Sequence, residues 1–203
     1  MITGVNIISS IGALHKFNKK FFDKVADNQF KIPKINLVSI ILGGSNNHYN
    51  FSLNEINELI YRINNIKNNN PKYNFLIIFS RRTGNLIKKT VKNKLHNKII
   101  LWDENKPNPY AFCLKYSEYF IVTSDSTSMI SECSFTAQPI YIFHLPFKRI
   151  SKRIKKFHNK FSDLGITRDL ITISKLSKWI YKPLNESKRI ASIIKERIIK
   201  EHT

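Results

Sequence analysis

The segment Thr123-Ser124-Asp125-Ser126-Thr127-Ser128-Met129-Ile130-Ser131-Glu132 holds the densest run of potential ligand-binding groups in this sequence. It follows an apolar strand pattern and leads into a helical one, so its hydroxyl-rich part falls at the start of a helix. The first turn of a helix carries free N–H groups and the positive end of its dipole, and both stabilise a phosphate. Ser126, Thr127, Ser128 and Met129 occupy that turn, and three of them bring hydroxyl donors. Glu132 lies four residues beyond Ser128, on the same helical face and about one turn deeper. A carboxylate there is placed to accept from the hydroxyls of a ribose whose phosphates sit at the helix start. The same residues also read as an ordinary N-cap at Asp125 and Ser126 followed by a solvated glutamate, and the sequence leaves both readings open.

Two further polar turns follow apolar strand patterns. In Ser80-Arg81-Arg82-Thr83-Gly84 the adjacent Arg81 and Arg82 offer planar donor forks suited to phosphate oxygens, with Ser80 beside them. Gly43-Gly44-Ser45 permits close approach of backbone to a ligand. A solvated basic turn and a plain strand-end glycine pair are the alternatives. The chain has no Walker A pattern and no G-x-G-x-x-G. Neither a facing carboxylate pair for glycoside hydrolysis nor a Ser-His-Asp arrangement emerges. Cys113, Cys133 and six scattered histidines show no ligand spacing, so no metal is expected.

The elements that must position these turns alternate strand and helix. Ile35–Leu42 is a continuous apolar run, as a strand buried on both faces should be. A capping box at Ser52-Leu53-Asn54-Glu55 opens a helix with Leu53, Ile56, Ile60, Ile63 and Ile66 on one face. Strands are expected near 35–42, 74–79, 98–102, 119–123 and 139–143. Helices fall between them: one carries Leu86, Ile87, Val91 and Leu95, a short one follows Pro109, and one runs through Ala137. This pattern predicts an α/β fold, a Rossmann-like mostly parallel sheet with helices on both faces. Ligands on such sheets bind at the carboxyl ends of the strands, where all three polar turns fall.

Residues 148–160 place Ile150, Ile154, Phe157 and Phe161 on one helical face and seven basic residues on the others, with Gly165 ending the helix. Docking of that face on the sheet is expected, with contact to an anionic membrane as the alternative. A last helix spans 185–200, with Ile190, Ile193, Ile194 and Ile198. The whole chain reads as a single domain over 1–203, with 1–34 an N-terminal extension and 185–203 a C-terminal helix.

Lys and Arg number 34 against 14 Asp and Glu, a net charge of +20. Such an excess implies a polyanionic partner or the Lys- and Asn-rich usage of an AT-rich genome. No nucleic-acid motif accompanies it, so nucleic acid is not expected. The chain lacks an apolar run near the ~20 residues of a membrane span and has no signal-peptide pattern, so a cytoplasmic location is expected, with a peripheral place at the inner face of the membrane as the alternative.

The strings Gly12-Ala13-Leu14-His15, Leu42-Gly43-Gly44, Ser80-Arg81-Arg82-Thr83, Asn108-Pro109-Tyr110, Thr123–Glu132, Gln138-Pro139-Ile140-Tyr141 and Gly165-Ile166-Thr167-Arg168 occur in this order. Together they resemble the C-terminal portion of the mitochondrial-fission ELM family. That family in turn resembles GT-B glycosyltransferases such as the peptidoglycan N-acetylglucosaminyltransferase, whose C-terminal Rossmann-like domain binds the nucleotide sugar. The resemblance implies the C-terminal half of a GT-B fold, phosphate contacts near Ser126–Met129, ribose contacts by Glu132 and a glycine-rich loop at Gly43-Gly44-Ser45. It implies a nucleotide-diphosphate sugar as substrate and no cofactor. Family members carry a further N-terminal domain, and eleven residues precede Gly12 here. The expectation is therefore a truncated or split glycosyltransferase-like protein, its N-terminal domain absent or supplied by a separate chain, with independent catalysis doubtful. The resemblance also keeps open a non-catalytic membrane-surface adaptor, since plant members act in mitochondrial division, and a degraded gene remnant.

Overall fold

The computed structural model describes residues 4, 6–25, 29–95 and 98–201. Residues 1–3, 5 and 26–28 of the expected N-terminal extension, and 202–203 at the other end, lie outside the described residues. Six strands form one parallel sheet: β1 Leu37–Leu42, β2 Asn74–Phe79, β3 Ile100–Leu101, β4 Ser117–Thr123, β5 Ile140–Phe143 and β6 Thr167–Asp169. Their spatial order is β3-β2-β1-β4-β5-β6, and every pairing is parallel. This is the doubly wound Rossmann order, with its reversal between β1 and β4. The helices are α1 Lys19–Asp23, α2 Leu53–Asn68, α3 Asn85–Leu95, α4 Tyr110–Tyr116, α5 Thr127–Ser134, α6 Lys152–Asp163 and α7 Glu186–Glu201.

Alternation along the strands divides the core. Val38, Ile40 and Leu42 join Phe75, Ile77, Phe79, Tyr119, Ile121, Tyr141 and Phe143 under α2 and α3. Ile41, Phe120, Val122, Ile140 and Ile142 face the other way, under Ile130 and Cys133 of α5 and Phe161 of α6. Leu37, Leu76 and Ile78 meet Phe112 and Cys113 of α4. Ser39, the polar member of β1, bonds Ser117 of β4 hydroxyl to hydroxyl at 2.6 Å, so it is buried but satisfied.

The structure corrects several boundaries. β1 starts at Leu37, because Asn36 takes a left-handed φ of 51° and Ile35 stands 72% exposed. The capping box at Ser52 and Glu55 forms, but Leu53 is exposed and Leu59, which the sequence reading passed over, is fully buried. Leu86 is likewise exposed. α5 stops at Ser134 instead of Ala137, whose φ of 60° breaks the helical path. β6 and α1 were not expected at all.

The basic helix α6 docks, burying Ile154, His158 and Phe161. Ile150 is not part of it: Ser151 is the N-cap and Ile150 is exposed. Gly165, at φ 67°, ends α6 in a Schellman turn, with its N–H on Ser162 O and the Ile166 N–H on Phe161 O. α7 is pinned to the N-terminal segment. Glu186 Oε2 accepts from the Ile11 N–H (2.8 Å), Ser187 Oγ accepts from the His15 N–H (3.0 Å), and Arg189 donates to Ser9 O (2.6 Å). The apolar residues expected on one face of α7 are only partly sheltered, and Ile194 and Ile198 are exposed.

Candidate functional site

At the strand-order reversal the turn after β1 closes on the turn after β4. The Gly43 N–H donates to Thr123 Oγ1 (2.8 Å), and the Gly44 N–H donates to Asp125 Oδ2 (3.0 Å). Thr123 Oγ1 donates to Asp125 Oδ1 (2.7 Å), and Arg82 Nη2 donates to Asp125 Oδ2 (2.9 Å). The Asp125 side chain is fully buried and that of Arg82 about half exposed. A Cβ on Gly43 would stand 2.0 Å from Asp125 Oδ1, and one on Gly44 would stand 1.9 Å from the Arg82 carbonyl. Both glycines are thus required by the protein's own atoms. Ser45, expected beside them as a ligand contact, instead accepts from the Phe51 N–H (2.8 Å) and closes the loop 45–51.

The Ser80-Arg81-Arg82-Thr83 turn is shaped from within. Thr83 Oγ1 donates to the carbonyls of Leu42 and Gly43 and accepts from the Ser80 N–H, while Ser80 Oγ accepts from the Arg82 N–H. Ser80 is therefore spent on the turn. Arg82 is aimed at the reversal and held by Asp125, leaving its other guanidinium N–H groups toward solvent. Arg81 is exposed.

The start of α5 lies next to this network. Ser126 is its N-cap and accepts from the Met129 N–H (3.4 Å). The N–H groups of Thr127 and Ser128 belong to the first turn, which has no acceptor within the helix. Ser131 ties α5 to the N-terminal segment, accepting from the Ala13 N–H (2.9 Å) and donating to Thr127 O (2.7 Å). A Cβ on Gly12 would meet Ser131 Oγ at 2.8 Å, which accounts for the glycine.

Glu132 is not the freely solvated glutamate of the alternative reading. It is half-buried, and the Tyr110 hydroxyl donates a short hydrogen bond to its Oε2. Asn108 Oδ1 accepts the Tyr110 N–H (2.9 Å) and so fixes the start of α4. Burial raises the Glu132 carboxyl above its usual range, opposed by the Tyr110 hydrogen bond and the charge of Lys16. With Oε2 engaged by Tyr110, Oε1 remains open to a further donor.

The sequence reading missed Thr83 and Asp125 as organisers and Tyr110 as the partner of Glu132. The string Asn-Pro-Tyr and the Thr-x-Asp after a strand were their visible traces.

On the same rim, the loop after β1 joins the loop after β5. The Asn50 N–H donates to Pro146 O (3.1 Å), and the Lys148 N–H donates to His48 O (2.8 Å). Tyr49 stacks on Phe147 at 4.7 Å. A separate open cavity of 530 Å³, lined by residues including Tyr73, Tyr119, Lys175 and Lys178, lies by the amino ends of β2 and β4, away from this rim. Among the described residues no group of three or more His, Cys, Asp or Glu could hold a metal ion, and no helix is long and apolar enough to cross a membrane.

Fold and site together define a Rossmann-like α/β domain with its polar machinery at the β1/β4 reversal. The chain belongs to the mitochondrial fission ELM1 family, whose model matches residues 1–198. It is 34% identical over 198 residues to an uncharacterised protein of Rickettsia prowazekii, covering 94% of this chain and 55% of that protein. It is 25% identical over 203 residues to the mitochondrial fission protein ELM1 of Arabidopsis thaliana, covering 95% of this chain and 46% of that protein. The chain thus spans about half the length of the curated relatives it matches. Among solved structures it is similar to a UDP-GlcNAc 2-epimerase from Neisseria meningitidis bound to UDP-GlcNAc. That match has a TM-score of 0.43 and 13% identity, over 91% of this chain and 42% of the other. It is also similar to the glycotransferase of kitacinnamycin, with a TM-score of 0.46 and 16% identity, over 81% of this chain and 37% of the other.

Proposed function

We propose that this domain binds the nucleoside diphosphate part of a nucleotide sugar, as the donor half of a GT-B-like protein. The observation that carries the reading is the placement of α5: its first turn opens beside the β1/β4 reversal, and Glu132 follows on the same helical face as Ser128. The phosphates meet the N–H groups and hydroxyls of Thr127 and Ser128, with the free edge of Arg82 and the exposed Arg81 as counter-charges. They do not enter the glycine turn, whose N–H groups are taken by Thr123 and Asp125. The ribose donates one hydroxyl to Glu132 Oε1. Neither carboxylate is placed to take a proton from an acceptor, since Asp125 is buried and Glu132 is bonded by Tyr110. An acceptor site and a base therefore come from outside this domain, in the remaining length that the relatives have or in a second chain.

The test is calorimetric titration of uridine diphosphate into the wild type and Glu132→Gln. Loss of a charge-assisted bond of about 1.5–3 kcal/mol lowers affinity roughly ten- to hundredfold. Equal affinities would remove Glu132 from the site. Absence of binding by the wild type at millimolar uridine, adenosine and guanosine diphosphates would overturn the donor-site reading.

A further inference from the structure

We infer that the loop 147–150 and the outer face of α6 form a docking surface for an anionic lipid bilayer. Residues 148–160 contain Lys148, Arg149, Lys152, Arg153, Lys155, Lys156 and Lys160 and no acidic residue. Because α6 sits on the body of the domain through Ile154, His158 and Phe161, its lysines and arginines all project outward. Among the described residues none of these seven side chains is in an ion pair, although acids elsewhere hold Arg62, Arg82, Lys88, Lys178 and Arg189. Seven uncompensated cations within thirteen residues concentrate the positive potential of a chain that is already at +20.

Charge alone fits any polyanion, and the apolar residues select the bilayer. Ile150 stands 72% exposed at the centre of Lys148-Arg149-Ile150-Ser151-Lys152-Arg153, and Phe147 beside it is 38% exposed. The loop that carries them is held firmly. The N–H groups of Lys148 and Arg149 both donate to His48 O, Phe147 is bridged to and stacked on Tyr49, and Ser151 caps α6. An isoleucine fixed at the tip of a basic rim enters the boundary between headgroups and acyl chains while the surrounding cations meet lipid phosphates. Duplex nucleic acid would use the cations and leave Ile150 in water.

The experiment is sedimentation of the full chain with vesicles of phosphatidylcholine alone and of phosphatidylcholine with phosphatidylglycerol, at low salt and at about 0.5 M salt. Binding is expected only to the phosphatidylglycerol vesicles and is lost at high salt. Changing Lys152, Arg153, Lys155 and Lys156 to Gln lowers partitioning roughly a hundredfold or more. Ile150→Ser lowers it roughly tenfold at unchanged charge. All five positions are exposed, so both variants should melt with the wild type, which separates loss of binding from loss of fold. Absence of binding to the anionic vesicles at low salt would overturn the inference. So would binding that Ile150→Ser leaves unchanged, and so would a duplex oligonucleotide that displaces the vesicles and binds with equal strength to Ile150→Ser.

Discussion

Gly43→Ala isolates the claim that the glycine turn serves the protein's own architecture. The added methyl would lie 2.0, 2.2 and 2.3 Å from Asp125 Oδ1, Oδ2 and Cγ, far inside van der Waals contact. Neither side yields easily, because Gly43 continues β1 and Asp125 is buried with both oxygens bonded. Displacing the carboxylate costs its bonds to the buried Gly44 N–H and Thr123 hydroxyl, while Arg82 is free to turn to water. Two such losses, at about 1.5–3 kcal/mol each, predict a destabilisation of about 3–6 kcal/mol, a large share of a typical domain's stability. Urea denaturation of the wild type, Gly43→Ala, Asp125→Ala and the double variant measures it as a coupling energy. In the Asp125→Ala background the three atoms nearest the methyl are gone, and its cost should drop below about 1 kcal/mol. Gly84→Ala, with nothing within 4 Å, is the internal control. A Gly43→Ala loss under about 1 kcal/mol in the wild-type background, or one that Asp125→Ala does not relieve, would refute the reasoning.

Two other predictions concern stability. His158 donates from Nε2 to Ser124 O (2.9 Å), and burial with the neighbouring His144 pushes its pKa from 6.5 down to about 4. A group whose folded pKa is depressed stabilises fully above its unfolded pKa, so stability should decline as pH falls from 6.5 to 4. The decline is about 3 kcal/mol. His158→Gln keeps a donor for Ser124 and should flatten that part of the pH profile relative to wild type, and parallel profiles would remove His158 as the cause. On α2, Leu59→Ala should cost about 3 kcal/mol and Leu53→Ala below about 0.5, since only the former is buried. Equal costs in thermal unfolding would contradict the assigned helix face.

The β-α alternation was legible because β1, β2, β4 and β5 are apolar on both faces, and α2 announces itself with a capping box. β6 was not, because Thr167-Arg168-Asp169 is short and polar, and only its position at the sheet edge makes it a strand. Ile150 fitted the helical period of α6, yet Ser151 took the capping position and left it outside. At the site, local chemistry was readable and distant partners were not. Ser126 could be placed at a helix start from its neighbours, but Gly44 meets Asp125 across 81 residues and Tyr110 meets Glu132 across 22. No periodicity encodes such pairs. The glycine pair therefore pointed to a close approach correctly, while the thing approached proved to be a carboxylate of the same chain.

The clasp between residues 9–15 and the first turn of α7 also bears on how the chain acquires its fold. Its bonds join residues 175 apart, as between Ile11 and Glu186. Closing a loop of that span costs about 4–5 kcal/mol in chain entropy before any contact rewards it. The parallel sheet, built from neighbouring β-α units, can assemble during synthesis while α7 is still to emerge, and the clasp is then the last step. Until it closes, the hydrogen bond from the Ala13 N–H to Ser131 Oγ ties this segment to α5. Tension applied upstream of Ser9 in the finished domain is carried first by Glu186, Ser187 and Arg189, which shields β1 from the pull.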